Sequence, residues 1–187
     1  MEENNSEQDY LFAPQGLVFF SNRAILDAIE DCKIKIKIAG KPKAIQSVRV
    51  AQRGKFIQKY QPSANIEWKN WIRLNVQQQL PADFKIFENV PLAVRVIYCF
   101  APPKSFSKKK QKDIEEGICY YKTTRPDVND NLNKGVFDAL TDLVWRDDSL
   151  VVKIQAEKLF CKWEGIYIEI YQLGEFCCCD KLQSMLL

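Results

Sequence analysis

Arg125-Pro-Asp127-Val-Asn-Asp130-Asn-Leu-Asn-Lys134-Gly-Val-Phe-Asp138-Ala-Leu140, followed by Val144-Trp-Arg-Asp147-Asp148-Ser149, is the most informative stretch of this chain. Its apolar residues recur at helical spacing and predict a helix over residues 130–143. Asp130, Lys134 and Asp138 follow one another at intervals of four and form a polar stripe opposite the leucine face. The stretch therefore predicts an amphipathic helix that carries charged side chains away from the core.

Three to five carboxylates are expected to converge at one end of the sheet. Asp127 precedes the first turn of the predicted helix, and Asp147 and Asp148 follow it after a short loop. Carboxylate ligands with no His or Cys among them favour Mg²⁺ or Mn²⁺. Such an ion polarises a phosphoryl oxygen and generates a hydroxide nucleophile. The alternative, from spacing alone, is an Asp-rich helix start and a turn with an ordinary ion pair.

The composition excludes several classes of protein. The 187 residues are 47% hydrophobic and 12% aromatic, which is typical of one folded domain and not of a disordered chain. The sequence contains no histidine, which removes Ser/His/Asp and Cys/His triads, nucleases with a histidine base and Cys/His zinc fingers. No apolar run is long enough for a membrane span, and the polar, acidic start differs from a signal peptide. We therefore expect no membrane partner and a cytoplasmic protein.

Charge is distributed unevenly along the chain although the net charge is only +3. Residues 33–60 carry nine Lys or Arg and no acid, and residues 101–125 carry seven bases against three acids. Residues 126–150 reverse this pattern, with six Asp against Lys134 and Arg146. Basic surfaces around an acidic pocket suit a metal-dependent enzyme that acts on a polyanion, because the bases hold phosphates. Solvated surface charge is the alternative for any one of these runs.

The seven cysteines do not indicate a disulfide framework, because their number is odd and no export signal is present. Three consecutive cysteines near the C-terminus cannot all point at one tetrahedral ion, and no C-x-x-C pair occurs, so zinc is not expected. The other four lie in apolar runs, and we expect them to be small buried residues in a reducing compartment: Cys32, Cys99, Cys119 and Cys161.

The remaining pattern predicts a single α+β domain with a mixed, mainly antiparallel sheet and helices packed on it. Residues 1–32 form an N-terminal extension, 33–175 the domain and 176–187 a Cys-rich tail. A helix is expected from Ser63 and another from about Lys108. The predicted strands are Lys33–Ile38, Pro91–Phe100, Ile118–Thr123, Leu150–Phe160 and Ile166–Leu173, the last two joined as a hairpin near Trp163-Glu-Gly165.

Residues 125–151 closely resemble the RusA family of Holliday-junction resolvases, whose signature reads approximately [KR]-P-D-x-D-N-L-x-K-x-x-x-D-A-L followed by W-x-D-D. The likeness extends over about residues 34–173. It implies a RusA-like fold, a Mg²⁺-dependent endodeoxyribonuclease, a homodimer, and a bacterial, phage or prophage origin. By position, the essential acids of the family fall on Asp127, Asp130 and Asp148, and its essential lysine on Lys134. Asp147 matches a further acid and is a fourth candidate metal ligand.

Lys134 is expected to stabilise charge at the scissile phosphate or to orient the attacking water. The family signature separates its first two acids by one residue, whereas Val128 and Asn129 lie between Asp127 and Asp130 here. We expect a bulge at the strand–helix junction to absorb the additional residue.

The predicted activity is resolution of four-way DNA junctions by paired nicks. The rival hypothesis is a non-catalytic DNA-binding or scaffolding protein that keeps the resolvase fold. The predicted DNA contacts are Lys41, Lys43, Arg49, Arg53, Lys55, Lys108, Lys109, Lys110 and Arg125.

Overall fold

The structure, a computed structural model, describes residues 34–45, 49–53, 56–60 and 62–174. Only the backbone is described for residues 49–53 and 57–60. The predicted N-terminal extension 1–32 and Cys-rich tail 176–187 lie outside the described residues, so this division of the chain stays a prediction. Within the described ranges, no helix is long and apolar enough to cross a membrane.

Five of the described strands form the main sheet, in the order β1-β7-β4-β6-β5. β4 and β6 run parallel, and the other neighbouring strands are antiparallel. A separate antiparallel hairpin consists of β2 and β3. The strands are β1 Ile34–Ala39, β2 Arg49–Arg53, β3 Phe56–Tyr60, β4 Leu92–Phe100, β5 Tyr120–Tyr121, β6 Val151–Phe160 and β7 Gly165–Gln172.

Within the described ranges, three α-helices accompany the mixed sheet, and together they confirm the α+β fold class. They are α1 Ser63–Gln77, α2 Lys108–Glu115 and α3 Lys134–Leu140. A π-helical turn, Val128–Asn133, leads directly into α3, and a short 3-10 helix, Asp148–Leu150, precedes β6.

The core lies between one face of the sheet and the helices α1 and α3. Ile34, Ile36 and Ile38 point into it while the lysines between them are exposed, as strict alternation predicts for a half-covered strand. From α1, Trp68 and Ile72 pack against the same core. The helix expected over residues 130–143 begins earlier, with the π-helical turn from Val128. It also ends earlier, at Leu140, because Thr141 is extended and Asp142 has a φ of 60°.

The predicted hairpin of the last two strands is wrong. β4 lies between β6 and β7 and pairs with both. β4 is buried on both faces along most of its length. A central position in the sheet therefore removes more apolar surface from water for β4 than for a strand with one exposed face. The connection passes over the end of β4, where the Ala101 N–H donates to Glu164 Oε1 at 3.4 Å. It then enters β7 at Gly165, where a Cβ atom would lie 2.3 Å from the Ile38 oxygen.

Candidate active site

The first acidic position lies at the start of the π-helical turn. Asp127 is extended, with φ −75° and ψ 159°, and its Oδ2 accepts a hydrogen bond from Asn131 Nδ2 at 2.5 Å. The predicted bulge at a strand end is not found, because β5 ends at Tyr121 and residues 122–127 form no strand. A π-helical turn takes in more residues than an α-helical turn. The additional residue is therefore accommodated inside the helix.

Two buried side chains hold this turn against the sheet. Leu132 packs into the core, and the Tyr98 hydroxyl of β4 donates to Asn133 Oδ1 at 2.8 Å. Burial raises the pKa of Tyr98 well above its usual value, so the hydroxyl keeps its proton and serves as a donor. With this side of the turn fixed, Asp130 and Lys134 are left exposed to solvent.

The polar stripe predicted along the helix is divided between two roles. Asp138 is half-buried and forms an ion pair with Lys69 Nζ at 2.7 Å, which links α3 to α1. Among the described residues, Lys134 forms an ion pair with neither Asp130 nor Asp138. Asp138 is therefore a structural acid, whereas Asp130 and Lys134 remain available to a ligand.

The second acidic position is the short 3-10 helix before β6. Asp147 Oδ1 accepts the Ser149 N–H at 2.9 Å. Hydrogen bonding from the Ser149 side chain, and then from this N–H, lowers the pKa of Asp147 below its usual value. Asp148, the next residue, is exposed. Both carboxylates thus lie at the N-terminal end of β6.

The two acidic positions are separated along β6. Lys158 Nζ donates to the backbone oxygens of Thr124 at 2.8 Å and Pro126 at 2.6 Å, so Asp127 lies beside the C-terminal part of this strand. Val151, the first residue of β6, is ~23 Å from Lys158 at the usual rise of a strand. In the described part of the chain, no group of three or more carboxylates or thiols is arranged so that it could hold one metal ion. The acids occur as two pairs, Asp127 with Asp130 and Asp147 with Asp148.

Three lysines form a positive cluster, which we call the lysine cluster: Lys41, Lys122 and Lys158. Its member Lys158 bonds the backbone just before Asp127. The Lys122 N–H donates to the Lys158 oxygen at 2.9 Å, so the two residues are cross-strand neighbours. Burial lowers the pKa of Lys122, and the charges of Lys158 and Lys41 lower it further. Like charges that face each other across strands are destabilising. A phosphate bound at the lysine cluster would relieve this repulsion.

Sequence reasoning included Lys41 among the DNA contacts but missed Lys122 and Lys158. The ammonium group of Lys122 lies 5.3 Å from the ring centre of Phe100 and 5.2 Å from that of Phe160. Both aromatic residues belong to strands that the sequence predicted. The sequence does place one lysine in each of two predicted strands. That these lysines are neighbours can be inferred only once the pairing of the two strands is known.

The other predicted DNA contacts differ in whether the structure describes their side chains. Lys43 is exposed and lies 5.7 Å from the Trp68 ring centre, and Arg125 is exposed two residues before Asp127. Lys108–Lys110 are exposed in the first turn of α2. The side chains of Arg49 and Arg53, and the whole of Lys55, lie outside the described residues.

The donor set is chemically suited to Mg²⁺. Asp127, Asp130 and Asp148 are exposed carboxylates that form no ion pair with a described residue. Proteins often bind Mg²⁺ through only one or two carboxylates, and water and substrate phosphates complete its coordination. The residues at either acidic pair therefore fit this ion when a phosphate is bound beside them.

Comparison with known proteins identifies the family of this chain. The family model for endodeoxyribonuclease RusA matches residues 39–171, which include both acidic pairs and the lysine cluster. This chain belongs to the RusA family. An uncharacterized protein of Bacillus subtilis (strain 168), YqaN, is 32% identical over 144 residues, which cover 77% of this chain and 99% of that protein. RusA membership confirms the predicted family and makes the chain an endodeoxyribonuclease.

Proposed function

We propose that this RusA-family chain is a Mg²⁺-dependent endonuclease that resolves four-way DNA junctions by paired nicks. The observation that carries the proposal is the lysine cluster, in which Lys158 bonds the Pro126 oxygen one residue before the exposed Asp127. A DNA phosphate is the ligand that this combination suits, because it neutralises the lysines and supplies ligands to a cation at the acids.

Each site residue has a defined part in this proposal. Asp127 with Asp130, and Asp148 with Asp147, would each hold Mg²⁺ at their own acidic pair, with Mn²⁺ as its substitute. When bound, such an ion polarises the scissile phosphate and lowers the pKa of a coordinated water. Lys134, exposed and one turn beyond Asp130, stabilises charge on the phosphate or orients the water. Lys122 and Lys41 hold the DNA backbone, and Lys158 positions the segment that leads to Asp127.

The uncovered half of β6 supports the proposal of a homodimer. β5 pairs only with Leu159 and Phe160, so the described strands leave the outer edge of residues 151–157 unpaired. Val152 is 62% exposed on this segment and Ile154 is 50% exposed. An exposed apolar edge is a template for another strand, and Ile154 is the midpoint of the segment. Two copies paired there about a two-fold axis would present two sites to a two-fold junction.

The deciding experiment is nicking of an end-labelled four-way junction in the presence of Mg²⁺, Mn²⁺ or a chelator. We expect paired nicks with either metal, none with chelator, and far slower cleavage of linear duplex. Asp148→Asn should abolish the nicks. Asp142→Asn is the matched control, because Asp142 is an exposed acid of the same segment whose positive φ suits asparagine.

A second candidate, a junction-binding protein without nuclease activity, is favoured by one observation. The two acidic pairs lie at different ends of β6, and no three acids meet within the described residues. Tight junction binding that is unaffected by metal, with no nicks in Mg²⁺ or Mn²⁺, would establish this function instead.

A further inference from the structure

Three cysteines meet on the face of the sheet that α1 and α3 do not cover. Cys99 and Cys161 are buried, and together with Leu159 they form a second, small core against which the half-buried Cys119 packs. The Cys161 thiol is hydrogen-bonded to both Cys119 and Cys99. None of the three has a part in the proposed cleavage of DNA.

The register of β5 and β6 places Cys119 directly opposite Cys161. Tyr120 pairs with Phe160, so the next residue outward on each side is a cysteine. The Lys122 N–H bonds to the Lys158 oxygen, and hydrogen-bonded pairs alternate along an antiparallel ladder. Cys119 and Cys161 therefore form a non-hydrogen-bonded pair, with Cα atoms ~4.5 Å apart. This spacing lies within the range of about 4.4–6.8 Å that a disulfide requires.

Cys99 is not in an equivalent position. It pairs with Leu159 across the parallel strands, two residues before Cys161. Its contact with Cys161 is therefore diagonal, and diagonal neighbours are farther apart than residues directly opposite. The geometry thus distinguishes one cysteine pair within the cluster.

The two paired thiols also differ in acidity. The hydrogen bond from Cys161 lowers the pKa of Cys119 to about 7, against the opposing effect of burial. The same contacts raise the pKa of Cys161. Near neutral pH, Cys119 is therefore the thiolate nucleophile and Cys161 its protonated neighbour.

We propose that Cys119 and Cys161 form a reversible disulfide when the protein meets a hydroperoxide. The Cys119 sulfur attacks one peroxide oxygen, the O–O bond breaks, and the departing oxygen takes up a proton as water or an alcohol. Cys119 is thereby oxidised to a sulfenic acid. The Cys161 sulfur attacks the Cys119 sulfur, the S–O bond breaks, and hydroxide leaves with the Cys161 proton as water. Two thiols are oxidised, and one hydroperoxide is reduced.

Peptide mapping of the full chain tests the proposal. The protein is treated with one equivalent of hydrogen peroxide, its remaining thiols are alkylated with iodoacetamide, and it is digested with trypsin. Cleavage after lysine and arginine places Cys99, Cys119 and Cys161 in separate peptides, residues 96–104, 113–122 and 159–162. We expect a link between the last two peptides, two hydrogens lighter than their sum and lost on addition of dithiothreitol.

Two variants test which cysteine forms the disulfide with Cys119. Cys99→Ser should keep the link, whereas Cys161→Ser should leave Cys119 as a sulfenic acid that dimedone traps. In the untreated protein, the rate of Cys119 alkylation should reach half its maximum near pH 7, and Cys161→Ser should move that midpoint upward. A link from Cys161 to Cys99 in place of Cys119, or no link in any of the three peptides, would overturn the proposal. None of these measurements depends on nuclease activity.

Discussion

Replacing Lys158 with methionine should loosen the segment that leads into Asp127. Lys158 Nζ donates to two backbone oxygens, at 2.8 Å to Thr124 and 2.6 Å to Pro126, and methionine keeps the aliphatic stem without any donor. A hydrogen bond to a charged group contributes about 1.5–3 kcal/mol. Because Lys158 is only half-buried, we take the lower value for each bond, a loss of ~3 kcal/mol. Relief of the repulsion with Lys122 returns up to ~1 kcal/mol. The free energy of unfolding should therefore fall by ~2 kcal/mol.

Urea unfolding followed by tryptophan fluorescence measures this change. With a urea dependence of ~2 kcal/mol per molar, the midpoint should fall by ~1 M while the slope stays unchanged. Nicking of a four-way junction should fall more than junction binding, since Asp127 loses its position while the other lysines remain. Lys153→Met is the matched control, because Lys153 is an exposed lysine of the same strand.

Two outcomes would refute the reasoning. If Lys158→Met unfolds at the urea concentration of the parent protein, the two hydrogen bonds contribute nothing to stability. If stability falls but nicking is unchanged, the segment before Asp127 does not position the reacting groups.

The remaining predictions concern the second acidic pair, the basic helix and the sheet edge. Asp148→Asn should slow nicking roughly 100-fold or more at limiting Mg²⁺ and leave junction binding intact, and wild-type turnover would contradict the site assignment. Replacing Lys108–Lys110 with alanine should lower the slope of log K against log salt by ~3 if each lysine contacts a phosphate, whereas an unchanged slope identifies solvated surface. Ile154→Lys should sediment as a monomer at concentrations where the parent protein is a dimer, and a persistent dimer would place the interface elsewhere.

The sequence predicts best those elements whose pattern is local. The alternation in Lys33–Ile38 was sufficient to place β1, and helical spacing from Ser63 was sufficient to place α1. The pairing of β6 and β7 was missed, because which strand lies between two others depends on burial across the whole sheet. No property of Trp163-Glu-Gly165 alone distinguishes a hairpin from a connection that passes over a third strand.

The candidate site shows the same division. The resemblance to the RusA family selected Asp127, Asp130 and Asp148 as candidates, whereas the spacing of the acids alone left an ordinary ion pair as the alternative. Neither indicated that a π-helical turn takes in the additional residue, since that choice depends on Tyr98 and Asn133 meeting across the core. The lysine cluster was missed because Lys122 and Lys158 become neighbours only through the β5–β6 register.

The position of β7 has a consequence for how the chain acquires its structure during synthesis. β7 joins the sheet between β1 and β4, so the first described strand pairs in the sheet only with the last one. Until Gly165–Gln172 has left the ribosome, the three isoleucines of β1 lack the one described strand with which they pair. Contacts between residues so distant in sequence form slowly and leave apolar surface exposed in the meantime. A nascent chain that stalls before Gly165 should therefore be a substrate for chaperones and proteases.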